Sequence, residues 1–231
     1  MPLPVKNKQI NRPSMRDEVY DKLLHWIMEG VLRPGEKIVD KDLAEHMGVS
    51  RTPVREALRR LEDKDLVESS ANRWTRVSGI SPQEPEMIYP IIWTLEKLAM
   101  SEAAGNMRLA DFEKLAQANN ELKAAFDKGD AVAACVADED FHNVIIDRSL
   151  NPHLVNILQD LKIKFRRLEV VFFDGTSPYD ESSIKEHERL ISALKNNDTH
   201  LAEQIIHSNW EKSLKRLRVL DPRQDKDSHE D

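Results

Sequence analysis

Apolar residues recur along this chain mostly at helical spacing, and breaker residues cut the pattern into segments. From residue 14 onward, Val19, Leu23, Leu24, Ile27 and Met28 fall on one arc at about 100° per residue, which predicts an amphipathic helix. Ser14 stands where an N-cap belongs, and Gly30 with Arg33-Pro34-Gly35 ends the segment. A short second helix is predicted from Asp40 as N-cap, with Leu43, Ala44 and Met47 turned inward. Gly48 stops it and Val49 fills the turn. A third helix opens with Ser50 as cap and Pro53 in its first turn, where a missing N–H costs little. Its apolar arc is Val54, Ala57, Leu58 and Leu61. Leu66-Val67-Glu68-Ser69 and Thr75-Arg76-Val77 then read as two short strands around a turn. Helix, short helix, glycine turn, helix and β-ribbon is the order of a winged helix-turn-helix.

The pattern changes after Ser78-Gly79-Ile80-Ser81-Pro82-Gln83-Glu84-Pro85, which has a linker's composition and predicts a domain boundary at Gly79. Beyond it, helices are predicted over residues 84–105, 109–128, 130–149, 151–173, 179–196 and 198–219. The breaks are Gly105-Asn106, Lys128-Gly129-Asp130, Asn151-Pro152, Gly175-Thr176-Ser177-Pro178 and Asn196-Asn197-Asp198. With no strand alternation, this half is an antiparallel all-helical bundle. The expected fold is therefore mainly α: a winged helix-turn-helix over 1–79, a bundle over 80–220, and a polar, disordered tail over 221–231.

Composition narrows the class. With 231 residues, 40% of them hydrophobic, the chain has material for two cores. Its one cysteine, Cys135, excludes an intramolecular disulfide framework and points to a reducing compartment. The N-terminus lacks the apolar core of a signal peptide, and no apolar run approaches the ~20 residues of a spanning helix. A soluble, cytoplasmic protein without membrane contact is expected.

The net charge of -7 argues against a nucleic-acid partner until it is divided. Residues 1–79 hold 15 Lys/Arg against 13 Asp/Glu, a net of +2, and the rest of the chain carries -9. Arg51, Arg55 and Arg59 sit four apart beside the apolar arc of the third helix. One face of that helix docks on its domain while guanidinium groups point outward, suited to guanine edges and phosphates. A single surface arginine is ordinarily just solvated. A stripe of them on the second helix of a glycine-turned pair, followed by Arg73 and Arg76, favours double-stranded DNA.

In the acidic half, Asp138 and His142 are four apart and share a helix face. His187 lies beside Leu190, Ile191 and Leu194, and His207 lies on the last helix. One carboxylate and three imidazoles suit a divalent ion such as Zn, Ni or Mn, and facing helices of a bundle are where such sites are built. The alternative is a set of ordinary hydrogen-bonded structural residues, the reading kept for His25, His46, His153, His200 and His229. A metal-dependent enzyme is a rival, but no nucleophile motif or general base stands out and no catalytic residue is assigned. A DNA-binding protein with a purely structural metal is a third reading.

Residues 42–67, and above all Val-Ser-Arg-Thr-Pro-Val-Arg-Glu-Ala-Leu at 49–58, closely resemble the DNA-binding domain of GntR-family transcriptional regulators of the FadR type. By position, that resemblance implies DNA contacts from Lys41, Ser50, Arg51, Thr52, Arg55 and Arg73. Two departures stand out: Asp65 replaces a glycine before Leu-Val, and Trp74 replaces a wing glycine. Residues 84–217 resemble the FCD ligand-binding domain. The matching landmarks are Leu95-Glu96, Asp138 with Phe141-His142, Asn151-Pro152, Glu186-His187 and Ala193-Leu194. Six helices place it with the VanR-like subgroup. The resemblance implies a metal held by Asp138, His142, His187 and His207, and a small organic acid as effector. Many relatives carry an arginine where this chain has Ile92, flanked by Trp93, so Arg166 or Arg167 is the candidate for pairing with the acid. The expected protein is a homodimeric repressor on a palindromic operator.

Overall fold

The computed structural model describes residues 14–70, 73–81, 83–173 and 181–219. The predicted break at 175–178 and the tail from 221 lie outside the described residues. The chain divides into two compact units, Met1–Gly79 and Ile80–Asp231.

The first unit holds α1 (Met15–Met28), β1 (Lys37–Ile38), α2 (Asp40–Met47), α3 (Arg51–Glu62), β2 (Val67–Ser70) and β3 (Trp74–Val77). Helix α3 turns Val54, Ala57, Leu58 and Leu61 inward and packs on Val19, Leu23 and Ile27 of α1. Each fully buried Val, Leu or Ile side chain among these contributes ~1.5–3 kcal/mol. The sheet is antiparallel in the order β1-β3-β2, with Glu68 opposite Arg76 and Lys37 on the other flank of Arg76. Strand β1 is only two residues long, too short to leave an alternation in the sequence.

The helix caps differ in part from those the sequence predicts. Val39, not Asp40, is the N-cap of α2, and Asp40 is its first helical residue. The Asp40 carboxylate bonds two arginines of α3 instead of backbone amides. Ser14 and Ser50 occupy N-cap positions without a side-chain cap bond, and the Ser14 hydroxyl donates to Asp17. Asp65 adopts φ 59°, so the turn after α3 keeps its left-handed form without a glycine. Leu66 N–H closes it on the Leu61 carbonyl at 2.9 Å. Aspartate tolerates this region better than most residues do.

The second unit is six helices among the described residues: α4 (Glu84–Ala103), α5 (Leu109–Lys128), α6 (Ala131–Arg148), α7 (Pro152–Phe173), α8 (Glu181–Lys195) and α9 (Thr199–Val219). Their bounds lie within about two residues of the sequence reading because the breaking residues also cap. Asp130 accepts from Ala133 N at 3.0 Å, Asn151 from Leu154 N at 3.2 Å and Asp198 from Leu201 N at 3.0 Å. Helix α4 packs on α6, α7 and α9, and α5 packs on α6 and α8. Their shared core includes Tyr89, Ile92, Met100, Phe141, Leu158 and Trp210. No helix among the described residues is long and apolar enough to cross a membrane.

Gly48 ends α2 at φ 67°, and a Cβ built there meets nothing within 4 Å. Gly48→Ala therefore isolates backbone strain from steric clash. It is expected to destabilise the full chain by about 1–2 kcal/mol in denaturant unfolding. An unchanged unfolding midpoint would contradict the left-handed turn.

Candidate DNA-reading surface and metal centre

The arginine stripe of α3 is in place. Arg51, Arg55 and Arg59 are exposed, while Val54, Ala57, Leu58 and Leu61 on the opposite arc are buried. Arg51, Arg55, Arg59 and Arg73 line one groove between α3 and the β2–β3 wing, together with Lys37 and Asp40. Asp40 accepts from Arg51 Nη2 and from Arg55 Nε, each at 2.9 Å. The Arg51 hydrogen bond, first among the causes, holds the Asp40 carboxyl below its usual range against a raising effect of burial. Arg60 is turned away from the groove, 2.7 Å from Asp17 and stacked over Tyr20.

Of the other residues implied by resemblance, Arg73 lines this groove, and Lys41, Ser50 and Thr52 do not. Ser50 and Thr52 are exposed and line a separate cleft with Arg16, beside the start of α3. Lys41 is exposed and 3.7 Å from Glu45 on its own helix. Arg73 is exposed at the wing turn. Trp74, half-buried, carries the Arg76 guanidinium 4.2 Å above its ring, and Arg76 also bonds Glu68 across the ladder. The wing indole thus packs against the wing's own cation.

In the second unit, α6 contributes Asp138 and His142 and α8 contributes His187. Ligand atoms of these three buried residues lie within 4.8 Å of one another. The Nε2 atoms of His142 and His187 stand 3.7 and 3.5 Å from the Asp138 carboxylate, and neither has a hydrogen-bond partner. A tetrahedral ion with ligand bonds of about 2.1 Å spaces its ligands by about 3.4 Å. Two orphaned imidazole nitrogens and a carboxylate at that spacing fit a divalent ion.

The far sides of both rings explain their aim. Asn119 donates through Nδ2 to the Ile184 carbonyl, so its Oδ1 faces His187 Nδ1 at 3.1 Å and accepts the ring N–H. His187 Nε2 is then the bare lone pair. Glu96 sits 2.7 Å from His142 Nδ1 and directs Nε2 inward in the same way. Such outer partners fix tautomer and ring plane at metal sites. Phe141 stacks flat on His187 with centroids 3.7 Å apart. Burial pulls His187 well below its usual pKa, so it is neutral and able to ligate. Burial also raises Asp138, with His142 and Lys162 opposing.

Glu96 is the hub. It is 3% exposed and accepts also from Trp210 Nε1 at 2.7 Å, with Lys162 Nζ at 3.2 Å. Burial pushes its carboxyl up, but His142, Lys162 and Trp210 together outweigh that and hold it at about 2. Lys162, itself buried, also donates to Asn143 at 3.1 Å. A cavity of about 10 Å³, the room of one water or ion, lies against Asp138, His142, Lys162 and Arg166.

His207 is not among the three residues brought together. It lies on α9 edge-on to Trp93, with centroids 5.0 Å apart, and its Nδ1 is buried without a hydrogen-bond partner. Helix α9 sends Trp210 to the cluster instead. Of the two arginines, Arg166 lines the cavity and stands 3.7 Å from Glu139. Arg167 is buried, and burial lowers its pKa against the nearby Glu84. Ile92 is wholly buried in the core. Lys162 and Asn119 escaped the sequence reading, yet each carried a signal. Lys162 shares the helical stripe of Leu158 and Phe165, and Asn119 that of Leu115 and Leu122. A polar residue on a buried stripe needs a partner.

Comparison with known proteins agrees with both halves. The bacterial regulatory proteins of the gntR family match residues 15–77, and the FCD domain matches residues 88–211. The chain belongs to the GntR family, with an FCD domain. The transcriptional regulator McbR of Escherichia coli K12 is 28% identical over 201 residues, covering 85% of this chain and 91% of McbR. An uncharacterized HTH-type regulator of Bacillus subtilis, YdhC, is 26% identical over 204 residues, covering 87% of this chain and 90% of YdhC. A probable D-xylose utilization operon repressor of Paenarthrobacter nicotinovorans is 26% identical over 200 residues, covering 87% of each chain. The solved structure of Escherichia coli McbR superposes with a TM-score of 0.79 at 26% identity, over 89% of this chain and 98% of that one. This GntR-family protein is a transcriptional regulator with an effector-binding domain, not an enzyme.

Glu96→Gln leaves Lys162 buried without its counter-charge and is expected to destabilise the regulator by about 3 kcal/mol. The folded pKa of Glu96 lies below its unfolded value. Its contribution is therefore complete above about pH 4.5 and is lost as pH falls towards about 2. Urea unfolding near pH 7 and near pH 3 should show the variant's deficit shrinking in acid. A constant deficit would argue against an ionised Glu96.

Proposed function

We propose that this regulator is a homodimeric, metal-containing repressor whose bundle senses a small organic acid. The observation that carries the metal is the convergence of His142 Nε2 and His187 Nε2 on Asp138, with both Nδ1 atoms held by Glu96 and Asn119. Asp138, His142 and His187 would hold a divalent ion of the Zn, Ni or Mn kind. His207, beside Trp93, is the fourth candidate. When bound, the ion supplies Lewis acidity and an open position for an oxygen ligand.

An organic acid would meet Arg166 on the cavity wall, with Arg167 and Trp93 further along the same packed helices. The cavity of about 10 Å³ has room for one water or ion, so a larger acid must displace side chains to fit. A ligand that opens its own site has different affinities for the open and closed states. That difference is what shifts a regulator between states, typically by a coupling of about 1–3 kcal/mol. The same small cavity favours a second reading, a structural ion that only ties α6 to α8.

On the DNA side, two copies would place their α3 helices in successive major grooves of a palindromic operator. Lys41, Ser50, Arg51, Thr52, Arg55 and Arg73 are the proposed contacts. Action on a bacterial operator puts the protein in the cytoplasm.

Elemental analysis tests the metal. The purified protein is expected to carry about one divalent ion per chain and His187→Ala to lose it. Full occupancy in the variant would refute the site. Thermal shift of the metal-loaded protein with acetate, pyruvate and citrate separates the two readings. Stabilisation supports the sensor, and no shift with any acid supports the structural ion. Arg55→Ala is expected to weaken binding to a selected operator duplex by about 1–3 kcal/mol in fluorescence anisotropy. Unchanged affinity would remove Arg55 from the contacts.

A further inference from the structure

Asp40 departs from its sequence-predicted role as a helix cap and takes up a different one. It stands at the first residue of α2, eleven residues before Arg51 and fifteen before Arg55. Both of its oxygens accept from Arg51 Nη2 at 2.9 Å, and one accepts also from Arg51 Nε at 3.3 Å and Arg55 Nε at 2.9 Å. One carboxylate thus fixes two guanidinium planes. The carboxylate is 20% exposed, while Arg51 and Arg55 are 55% and 70% exposed.

The fold gains little from this arrangement, because exposed ion pairs add little to stability. For DNA affinity it is unfavourable, since a carboxylate in a phosphate-facing groove subtracts from the cationic charge that drives binding to any duplex. What it supplies is orientation. A free arginine samples many rotamers and attracts phosphates of any sequence. A guanidinium clamped through Nε presents its remaining N–H groups in one plane, as a two-pronged contact to a guanine edge requires. Lys37, Arg59 and Arg73 line the same groove without a bond to Asp40 and retain the general attraction.

We propose that Asp40 is a positioning residue that sets sequence specificity, holding Arg51 and Arg55 for base reading at the expense of affinity for arbitrary DNA. The proposal rests on the DNA-reading assignment above.

The test uses the full chain. Wild-type protein selects duplexes of about 30 base pairs from a randomised pool, room for two half-sites one helical turn apart. Fluorescence anisotropy then measures Kd for the selected duplex and for a shuffled duplex of equal composition, over a range of salt. Asp40→Asn is expected to bind the shuffled duplex more tightly, with a steeper salt dependence. Its ratio of shuffled to selected Kd should fall about tenfold, the scale of one base-reading pair. Asp40→Ser should do the same, and it substitutes should the Asn variant misfold. A ratio unchanged within about twofold overturns the proposal, including the case in which both affinities fall together as a merely structural role would dictate. Failure of the wild type to enrich any sequence overturns the DNA-reading assignment and this proposal together. A discriminating wild type with an unchanged variant ratio overturns this proposal alone.

Discussion

Glu96 is a carboxylate closed off from water, and the helical unit is arranged around keeping it ionised. Its two oxygens draw His142 from α6, Lys162 from α7 and Trp210 from α9 to one point on α4. An ion in that position without partners would be strongly unfavourable, so each partner is also a constraint on where its helix lies. The constraint propagates outward. With Nδ1 of His142 committed to Glu96, Nε2 must face Asp138. With Asn119 turned by the Ile184 carbonyl, His187 must do likewise. The metal candidates converge because their far sides are fixed.

The two units solve similar problems under different dielectric conditions. In each, one carboxylate holds two basic groups: Asp40 holds Arg51 and Arg55, and Glu96 holds His142 and Lys162. Asp40 is partly exposed, its arginines mostly so, and water screens their attraction. That pairing orients the two guanidinium groups without committing much folding energy, which is compatible with the base-reading role proposed for them. Glu96 and its partners are nearly inaccessible, so the same kind of contact there is coupled to stability.

The charge division at Gly79 takes its meaning from these two settings. The basic excess of the first unit is small, yet Arg51, Arg55, Arg59 and Arg73 line one groove. In the second unit, Glu96, Asp111 and Glu186 are buried against specific cations, including Lys162, Arg148 and Lys212. Part of that acidity is therefore structural and not a surface field.

Periodicity and breakers alone determined most of the architecture. An apolar arc at helical spacing has one way to be buried, and Gly48, Asp130, Asn151 and Asp198 end or cap helices through local bonds. The arginine stripe and the Asp138–His142 pair were legible for the same reason, since residues four apart on a helix are neighbours wherever the helix goes. Strand β1 was not legible, because two residues carry no alternation and their pairing with β3 is long-range. The groups that aim the histidines were hidden too. Asn119 and His187 are 68 residues apart, and Glu96 and Trp210 are 114 apart. The sequence by itself determined which faces are buried and which carry candidate chemistry. Only the tertiary structure decided which polar groups meet, that Asp40 clamps arginines and does not cap a helix, and that His207 packs beside Trp93. Those outcomes depend on distances between helices, set by how whole side-chain surfaces pack and not by any local period.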